Sequence, residues 1–316
     1  MNATGIIFSV LQGLAYVLLA PLLVGWVGKI KARLQNRRGA GILQPARNVY
    51  KLLAKETRVA HTASPLFRVT PYVVFVATSL AAAIVPLLAT NLPSAALADI
   101  IAVAGLLGLA RFFLALAGMD VGTAFGGMGA SREMMVSSFA EPALLMAVFT
   151  LAWSAHSTNL AGIIDYQLSD ARLLPSMLFA LASLVLVALA ETGRIPVDNP
   201  STHLELTMIH EAMILEYSGR HLALLEWAAQ IRLMLYGALI ANIFFPWGIA
   251  TRPSLLALTL GMAAIAGKLL LLGVGLALSE TVAAKMRFFK TPIFLSLAFL
   301  LALIGLLSHV ILESGW

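Results

Sequence analysis

The sequence predicts an all-α protein that crosses a membrane about eight times, and three observations support this fold class. Hydrophobic residues make up 60% of the 316-residue chain and charged residues 11%, whereas soluble domains contain about 45–50% and about 25%. Apolar runs of about 20 residues, the length that a helical span requires, occur along nearly the whole chain. The short alternating segments typical of a membrane β-barrel are not found in the sequence.

Eight segments are long and apolar enough to be predicted as spans. They cover residues 4–28, 70–90, 97–118, 133–154, 173–191, 222–247, 254–279 and 291–312. The first is longer than the core of a signal peptide and lacks a basic start, so we expect it to be retained as a span. The sequence shows no internal repeat and no soluble segment, so we expect residues 1–316 to form a single integral membrane domain.

Basic residues predict the orientation of these spans. Segment 29–68 contains ten Lys and Arg against one acid, Glu56. Placing this segment in the cytoplasm satisfies the positive-inside bias and puts six more basic loop residues on the same side, leaving Arg172 and Arg252 outside. We therefore expect a multi-pass protein of the cell inner membrane with both termini on the outer side.

The basic segment itself has a second feature. Over residues 32–57 its charges alternate with Leu, Val and Tyr, which predicts a cytoplasmic interfacial amphipathic helix that contacts membrane lipid. The RRGAG turn at 37–41 follows no strand, which excludes a nucleotide site of the P-loop type. Membrane orientation already accounts for the basic charge, so we predict no nucleic-acid partner.

Residues 191–219 form an acidic loop in an otherwise apolar chain. The loop contains five of the fifteen Asp and Glu residues, although a charged group costs roughly 2.5–3.5 kcal/mol at the centre of a membrane-spanning helix. If residues 203–216 form one helix, Glu205 and Glu216 share one face and His203 and His210 share another. Closely spaced carboxylates raise one another's pKa, which favours proton exchange near neutral pH. A solvated loop whose acids cap helices and pair with arginines is the open alternative.

Metal chemistry is not expected in this chain. The absence of cysteine excludes disulfides, thiolate-bound iron–sulfur clusters and cysteine zinc sites. The HEAMI segment fails as a zinc-protease motif because Ile214 occupies the place of the second histidine. We predict no metal site and no catalytic residue.

A second group of charges lies in the third and fourth predicted spans. Arg111 lies inside a span, as do Arg232 and Lys268, and buried basic residues usually pair with an acid or line a wet cavity. We expect Asp120 to end its span beside a glycine-rich loop and Ser131 to cap the next helix, near whose start Glu133 lies. Glu141 lies two turns further in and is followed by Pro142. An intramembrane acid is by default functional, and Arg111 is its predicted partner.

Five motifs together resemble a known family. They are RRGAGILQ at 37–44, ARFFLALAGMD at 110–120, GASRE at 129–133, E-x-x-R-x-P-x-D at 191–198 and EYSG at 216–219. With them the chain resembles subunit 1 of respiratory complex I and, more closely, the homologous membrane subunit of group 4 [NiFe] hydrogenases such as formate hydrogenlyase and hydrogenase-4. The resemblance covers essentially the whole chain.

This resemblance implies a subunit that anchors a peripheral redox arm and starts a proton path, with no cofactor of its own. It implies partners that hold the [NiFe] centre and iron–sulfur clusters: hydrogenase large and small subunits, iron–sulfur subunits and antiporter-like membrane subunits; a quinone is a further possible ligand. Twelve residues are predicted for the proton path: Arg111, Asp120, Glu133, Glu141, Glu191, Arg194, Asp198, His203, Glu205, His210, Glu211 and Glu216. Six are predicted for docking the arm or for a quinone-like pocket: Arg37, Arg38, Gly39, Gln44, Lys51 and Tyr217.

The chain also departs from complex I, and two other functions stay open. Where complex I has D-L-P-E-A-E-x-E-L, this chain reads DNPSTHLEL, with Ser201 and His203 in place of glutamates and three extra residues before EYSG. These differences favour the hydrogenase branch over a quinone-site subunit of an NADH:quinone oxidoreductase. A free-standing secondary transporter is the third hypothesis, but the inverted repeats common in transporters are not seen.

Overall fold

The computed structural model describes residues 3–169, 174–198, 208–251 and 255–313. Within these ranges the regular structure consists of eleven α-helices with short 3-10 and π segments and no strand. The helices are α1 (Ala3–Leu34), α2 (Gln44–Leu53), α3 (Pro65–Ile84), α4 (Ile100–Asp120), α5 (Ala124–Ala155), α6 (Leu160–Ser169), α7 (Pro175–Glu191), α8 (His210–Ile214), α9 (Gly219–Ile243), α10 (Leu255–Val282) and α11 (Thr291–Ser308).

Seven helical segments in the described part of the chain are long and apolar enough to cross a membrane. They correspond to α1, α3, α4, α5, α9, α10 and the helix that contains α11. The apolar helix α7 has 17 residues, or about 26 Å, which reaches the lower limit for a span. The prediction of an all-α polytopic membrane protein is confirmed, and α7 is the shortest of its eight predicted spans.

The amphipathic helix is shorter than predicted. Within 32–57 only α2 (Gln44–Leu53) stands as a separate helix, because α1 continues to Leu34. Helix α2 buries Val49 and exposes Tyr50, and it packs against α9 and α1. This arrangement agrees with a helix that lies on the surface of the bundle rather than within it.

The EYSG motif connects the segment after α2 to the start of α9. Ser218 Oγ donates to the carbonyl of Arg58 at 2.8 Å and accepts from its backbone N–H at 2.9 Å. Gly219 has a φ of +53°, and a Cβ at this position would lie 2.4 Å from the carbonyl oxygen of Glu56. A side chain cannot fit there, so the motif needs glycine at this position to allow the close backbone contact.

The prediction of a glycine-rich loop that continues to Ser131, with Ser131 as the cap of the next helix, is wrong. Helix α5 begins at Ala124, and Thr123 is its N-cap, with Oγ1 accepting from Gly126 N at 3.3 Å. Ser131 lies within the helix and donates to the carbonyl of Met128. Glycine disfavours helices by about 1 kcal/mol, but a Cβ on Gly126 would lie 2.0 Å from the carbonyl oxygen of Gly118 on α4. Close packing of α4 on α5 therefore outweighs helix propensity.

A single helix over 203–216 is also ruled out. Residues 208 and 209 are not helical, and α8 covers only His210–Ile214. Helix α8 packs against α5 and α4, where a Cβ on Gly129 would lie 2.9 Å from Ala212 Cβ. His203 and Glu205 lie outside the described residues. The contact with α5, rather than continuous helix periodicity, thus determines the path of this part of the acidic loop.

Two groups of helices bring the charged residues together. Helix α5 packs against α7, α11 and α4, while α9 packs against α3, α1, α10 and, less extensively, α7. Helices α4, α5 and α7 therefore meet where Arg111, Glu133, Glu141 and Glu191 are located. Small buried residues line these contacts, including Ala140, Ala143 and Ala190, and they allow the close approach that ion pairing requires.

Candidate functional site

Arg111 of α4 is the centre of an ion-pair cluster formed by three helices. Its Nη1 donates to Ser137 Oγ at 2.8 Å and to Glu141 Oε1 at 2.9 Å, both on α5. Its Nη2 donates to Glu191 Oε2 at the end of α7, and its Nε lies 3.8 Å from Glu133 Oε1. The structure thus joins Glu191 of the acidic loop to the predicted group of Arg111, Glu133 and Glu141, and it contains the expected pair of Arg111 with Glu141.

A second arginine completes the cluster from α9. Arg232 is buried, and its Nη1 donates to the carbonyl oxygen of Glu191 at 3.3 Å. Arg111, Glu133 and Glu191 are also buried, with 4%, 9% and 6% of their surfaces exposed. Buried ions require partners because they have lost their hydration. Here the Arg111 guanidinium is shared among three carboxylates, and Arg232 is bonded to a backbone carbonyl oxygen.

Glu141 differs from the other acids of the cluster because it reaches the surface. Its side chain is 45% exposed, whereas that of Glu191 is 2% exposed. It lies near the middle of α5 (Ala124–Ala155), and a Cβ on Gly108 of α4 would lie 3.5 Å from its Oε1. Pro142 follows within the helix and removes the hydrogen bond to the carbonyl of Ser138. The cluster therefore extends from the buried interior to the flank of the bundle at membrane depth.

A small cavity continues the cluster toward the acidic loop. Its volume is about 30 Å³, and its lining includes Glu133, Glu191, Asp198, His210 and Arg232. Such a volume has room for about two water molecules, and the lining offers the polar partners that buried water needs. The cavity brings acids of the spans and residues of the 191–219 loop to one place.

His210 lines this cavity as a neutral residue. Burial and, to a smaller extent, the positive charge of Arg232 lower the pKa of His210 to about 3. The ordinary value is about 6.5, so the imidazole remains neutral near pH 7. It can pass a proton between hydrogen-bonded neighbours, but it does not store one.

The low pKa of His210 predicts a pH dependence of stability. A histidine whose pKa is lowered by folding contributes stability above pH 6.5 that is lost as the pH falls toward 3. The wild-type chain should lose about 1–2 kcal/mol from this group between pH 7 and pH 5. In a His210→Gln variant this loss should be absent, as measured by thermal denaturation of the purified protein at both pH values. Equal losses in both proteins would contradict the neutral state of His210.

Asp198 and Asp120 have structural contacts. Asp198 Oδ1 lies 3.0 Å from Lys285 Nζ, and its Oδ2 accepts from Ile209 N at 3.3 Å, which holds the residue before α8. Asp120 Oδ2 accepts from Ser64 N at 2.8 Å, so it joins the end of α4 to the start of α3. Asp120 makes no contact with Arg111 in the described structure.

Other described residues of the acidic loop differ in exposure and in their partners. Glu216 is exposed and Glu211 is partly exposed. Arg194 Nη1 lies 3.1 Å from Glu280 Oε1, which is outside the acidic loop. The exposed position of Glu216 fits the alternative of a solvated loop acid, whereas Glu191 and Asp198 are buried and paired. The two hypotheses for this loop thus each describe part of it.

The predicted docking residues fall into two classes. Arg37, Arg38 and Lys51 are exposed, and the Gln44 side chain donates to Asn48 at 3.0 Å. Gly39 has a φ of +63°, and a Cβ there would lie 2.4 Å from Ala32 Cβ. These residues form a polar surface at the end of α1.

Tyr217 belongs to the interior instead. Its hydroxyl donates to the carbonyl of Phe67 at 3.0 Å, and the two rings stack with centroids 3.9 Å apart. Burial raises the pKa of the Tyr217 phenol above its ordinary value. These contacts give Tyr217 a role in packing α3 against the start of α9.

Several residues of the site were missed by sequence reasoning. Ser137, Lys285 and Glu280 contribute through long-range contacts, and nothing local in the sequence distinguishes them. Lys268, which was noted as a basic residue within a span, lies 3.4 Å from Asn242 Oδ1. Among the described residues, no group of three or more His, Asp or Glu side chains is placed to hold a metal ion.

Comparisons with known proteins agree with this arrangement. The sequence profile of the NADH dehydrogenase family matches residues 7–311. Formate hydrogenlyase subunit 4 of Escherichia coli is 32% identical over 289 residues, which is 91% of this chain and 93% of that protein. Hydrogenase-4 component C of the same organism is 34% identical over 284 residues, or 90% and 89% of the two chains.

The fold has a solved counterpart. A chain of the membrane-bound sulfane sulfur reductase, an archaeal respiratory membrane complex, superimposes with a TM-score of 0.78 at 19% identity, covering 96% of this chain and 98% of that chain. At this identity the match concerns the fold alone. Together with the profile match over nearly the whole length, it confirms the resemblance inferred from the five motifs: the chain is a multi-pass membrane protein that belongs to the NADH dehydrogenase subunit 1 family.

Proposed function

We propose that this chain is the membrane-anchoring and energy-coupling subunit of a membrane-bound [NiFe] hydrogenase of the formate hydrogenlyase type. The observation on which the proposal rests is the ion-pair cluster around Arg111, which extends from a cavity lined by Asp198 and His210 to the exposed Glu141. The similarity to formate hydrogenlyase subunit 4 and hydrogenase-4 component C supports the choice of complex.

The charge balance of the cluster supports a role in proton transfer. Three carboxylates, Glu133, Glu141 and Glu191, lie beside the guanidinium group of Arg111. Arg232 adds a second positive charge, which is held by its bond to the backbone carbonyl oxygen of Glu191. A buried excess negative charge is costly, so the cluster gains stability by holding one proton. A change of charge or conformation in the 191–219 loop alters this balance through the shared cavity, and the proton then moves within the cluster toward Glu141.

Glu141 is the proposed lateral exit of this path. A half-exposed carboxylate at membrane depth is costly unless protein or water covers it. We infer that an antiporter-like membrane subunit covers the flank formed by α4 and α5 and takes over the proton there. In this proposal Glu141 serves to transfer a proton and not to pack the helices together.

The polar surface near Arg37, Arg38 and Lys51 is the proposed docking site of the peripheral arm. The basic residues predict that this surface and the 191–219 loop face the cytoplasm. Both termini then lie on the outer side of the cell inner membrane. The [NiFe] centre and the iron–sulfur clusters belong to the large, small and iron–sulfur subunits of that arm. We propose that residues 1–316 act as one membrane domain.

Charge reversal of the docking surface tests this function. In an Arg37→Glu/Arg38→Glu variant, we expect hydrogen-dependent dye reduction to move from the membrane fraction to the soluble fraction, with total activity in the cell extract unchanged. An Asp165→Asn variant, changed at an exposed position of α6, should keep the activity in the membrane. If hydrogen-dependent dye reduction stays in the membrane fraction when this chain is absent, the proposal is wrong.

The second candidate is a quinone-site subunit of an NADH:quinone oxidoreductase, which the family profile also supports. Purification of the tagged complex separates the two functions. Co-purification of NADH:quinone reductase activity, with a quinone analogue protecting residues 37–52 or 191–219 from labelling, would favour this candidate over the hydrogenase.

A further inference from the structure

A second, larger cavity lies away from the ion-pair cluster. Its volume is about 340 Å³, and it is lined by residues of α1, α7, α9 and α10. Apolar side chains dominate its wall, among them Leu23, Val27, Leu189, Ile240, Leu272 and Leu276. The hydroxyls of Thr192 and Ser279 in the wall donate to backbone carbonyls of their own helices. Thr192 donates to the carbonyl oxygen of Ala188, and Ser279 donates to that of Leu276.

Three charged residues closely follow lining residues of this cavity along the chain, which places them beyond one of its ends. Glu280 directly follows the lining residue Ser279, Lys31 lies one helical turn after Val27, and Arg194 lies two residues after Thr192. Glu280 Oε2 lies 2.8 Å from Lys31 Nζ, and its Oε1 lies 3.1 Å from Arg194 Nη1. The Glu280 side chain is only 2% exposed, while 21% of Lys31 and 14% of Arg194 are exposed.

The triad of Lys31, Arg194 and Glu280 has unused hydrogen-bond donors that can bind an anion. Two cations against one carboxylate leave a net charge of +1. Lys31 and Arg194 each use one N–H group on Glu280, although an ammonium has three donors and a guanidinium has five. The remaining donors fit the oxygens of a phosphate group.

We propose that this cavity binds an anionic phospholipid, with one acyl chain between the helices and the phosphate at Lys31 and Arg194. The combination of an apolar volume with a cationic end matches an amphiphile. A transmembrane helix of another subunit is about 10 Å wide, so only about three of its residues would fit in this volume. The proposal does not depend on the type of redox arm that the chain anchors.

The position of the cavity gives the lipid a connection to the ion-pair cluster. Tyr236 lines the cavity and lies within electrostatic reach of Glu191. Thr192 lines both this cavity and the smaller polar one. An acyl chain in the cavity would therefore support the helix end that holds Glu191.

Photolabelling of the intact complex in lipid vesicles tests this site. The probe is phosphatidylglycerol with a photoreactive group on one acyl chain, and the readout is the labelled peptides that contain residues 23–31 or 269–280. The matched variants are Gly275→Leu, at a lining position, and Gly267→Leu, outside the cavity on the same helix. A Cβ meets no atom within 4 Å at either glycine, so neither change should disturb folding.

Filling the cavity should expel the lipid. We expect Gly275→Leu to lower labelling by more than about tenfold, the loss for about two displaced CH2 groups, while Gly267→Leu leaves labelling unchanged. Lys31→Gln should reduce the preference for phosphatidylglycerol over phosphatidylcholine about fivefold, and Lys29→Gln should not. Three results would overturn the proposal: equal labelling of both glycine variants, no preference between the two lipids, or displacement of the label by a soluble quinone analogue.

Discussion

Glu141→Gln is expected to abolish proton translocation by the assembled complex while dye-linked hydrogenase activity continues. The substituted amide would keep the size and the hydrogen-bonding capacity of the side chain, so contact with Arg111 Nη1, now 2.9 Å from Glu141 Oε1, can persist. The amide cannot release a proton near neutral pH. The path would therefore be interrupted at its proposed exit without loss of the surrounding packing.

Two measurements separate these effects. Proton uptake by vesicles containing the purified complex should fall to the level of vesicles without protein, and hydrogen-dependent dye reduction should stay at the wild-type rate. Asp165→Asn is the control for loss of an acid, since Asp165 is exposed on α6, away from the cluster. Wild-type translocation by Glu141→Gln would remove Glu141 from the path, whereas loss of assembly would make its role structural.

Much of this site could be predicted from the sequence because charge is rare in an apolar chain. Arg111, Glu133, Glu141 and Glu191 are conspicuous in or beside apolar runs, and their cost in a membrane predicts that they pair. The spans themselves follow from apolar length alone. These predictions depend only on the composition of short segments, which can be read directly from one sequence.

What the sequence could not predict depends on contacts between distant segments. The glycines at 126 and 129 are typical of a loop, yet they lie in α5 because α4 and α8 approach it closely. Glu280 shows no local sign of its two cationic partners, which lie 249 and 86 residues away. The periodicity of 203–216 is compatible with a helix, but the packing of α8 on α5 limits the helix to 210–214. Tertiary contacts outweigh local preference in each case.

Arg111→Met is expected to prevent accumulation of the folded chain in the membrane. Arg111 is buried, and it contacts Glu133, Glu141 and Glu191 on two other helices. Removing one partner from a buried ionic group costs about 3–5 kcal/mol because the remaining charges are left without compensation. This is a large part of the total stability of a domain, which is about 5–15 kcal/mol. Quantification of the chain in isolated membranes and thermal denaturation of the purified complex measure the loss.

Comparison with further variants shows whether the cost comes from charge or from shape. Arg111→Lys keeps the charge, but one ammonium cannot replace a planar fork that contacts several carboxylates, so it should be intermediate. Adding Glu191→Gln to Arg111→Met removes one uncompensated acid and should recover part of the lost stability. If the double variant is instead as unstable as the sum of the two single changes, the energetic coupling of Arg111 to Glu191 is absent. The cluster would then owe its geometry to helix packing, and a proton held between its acids would have no electrostatic cause.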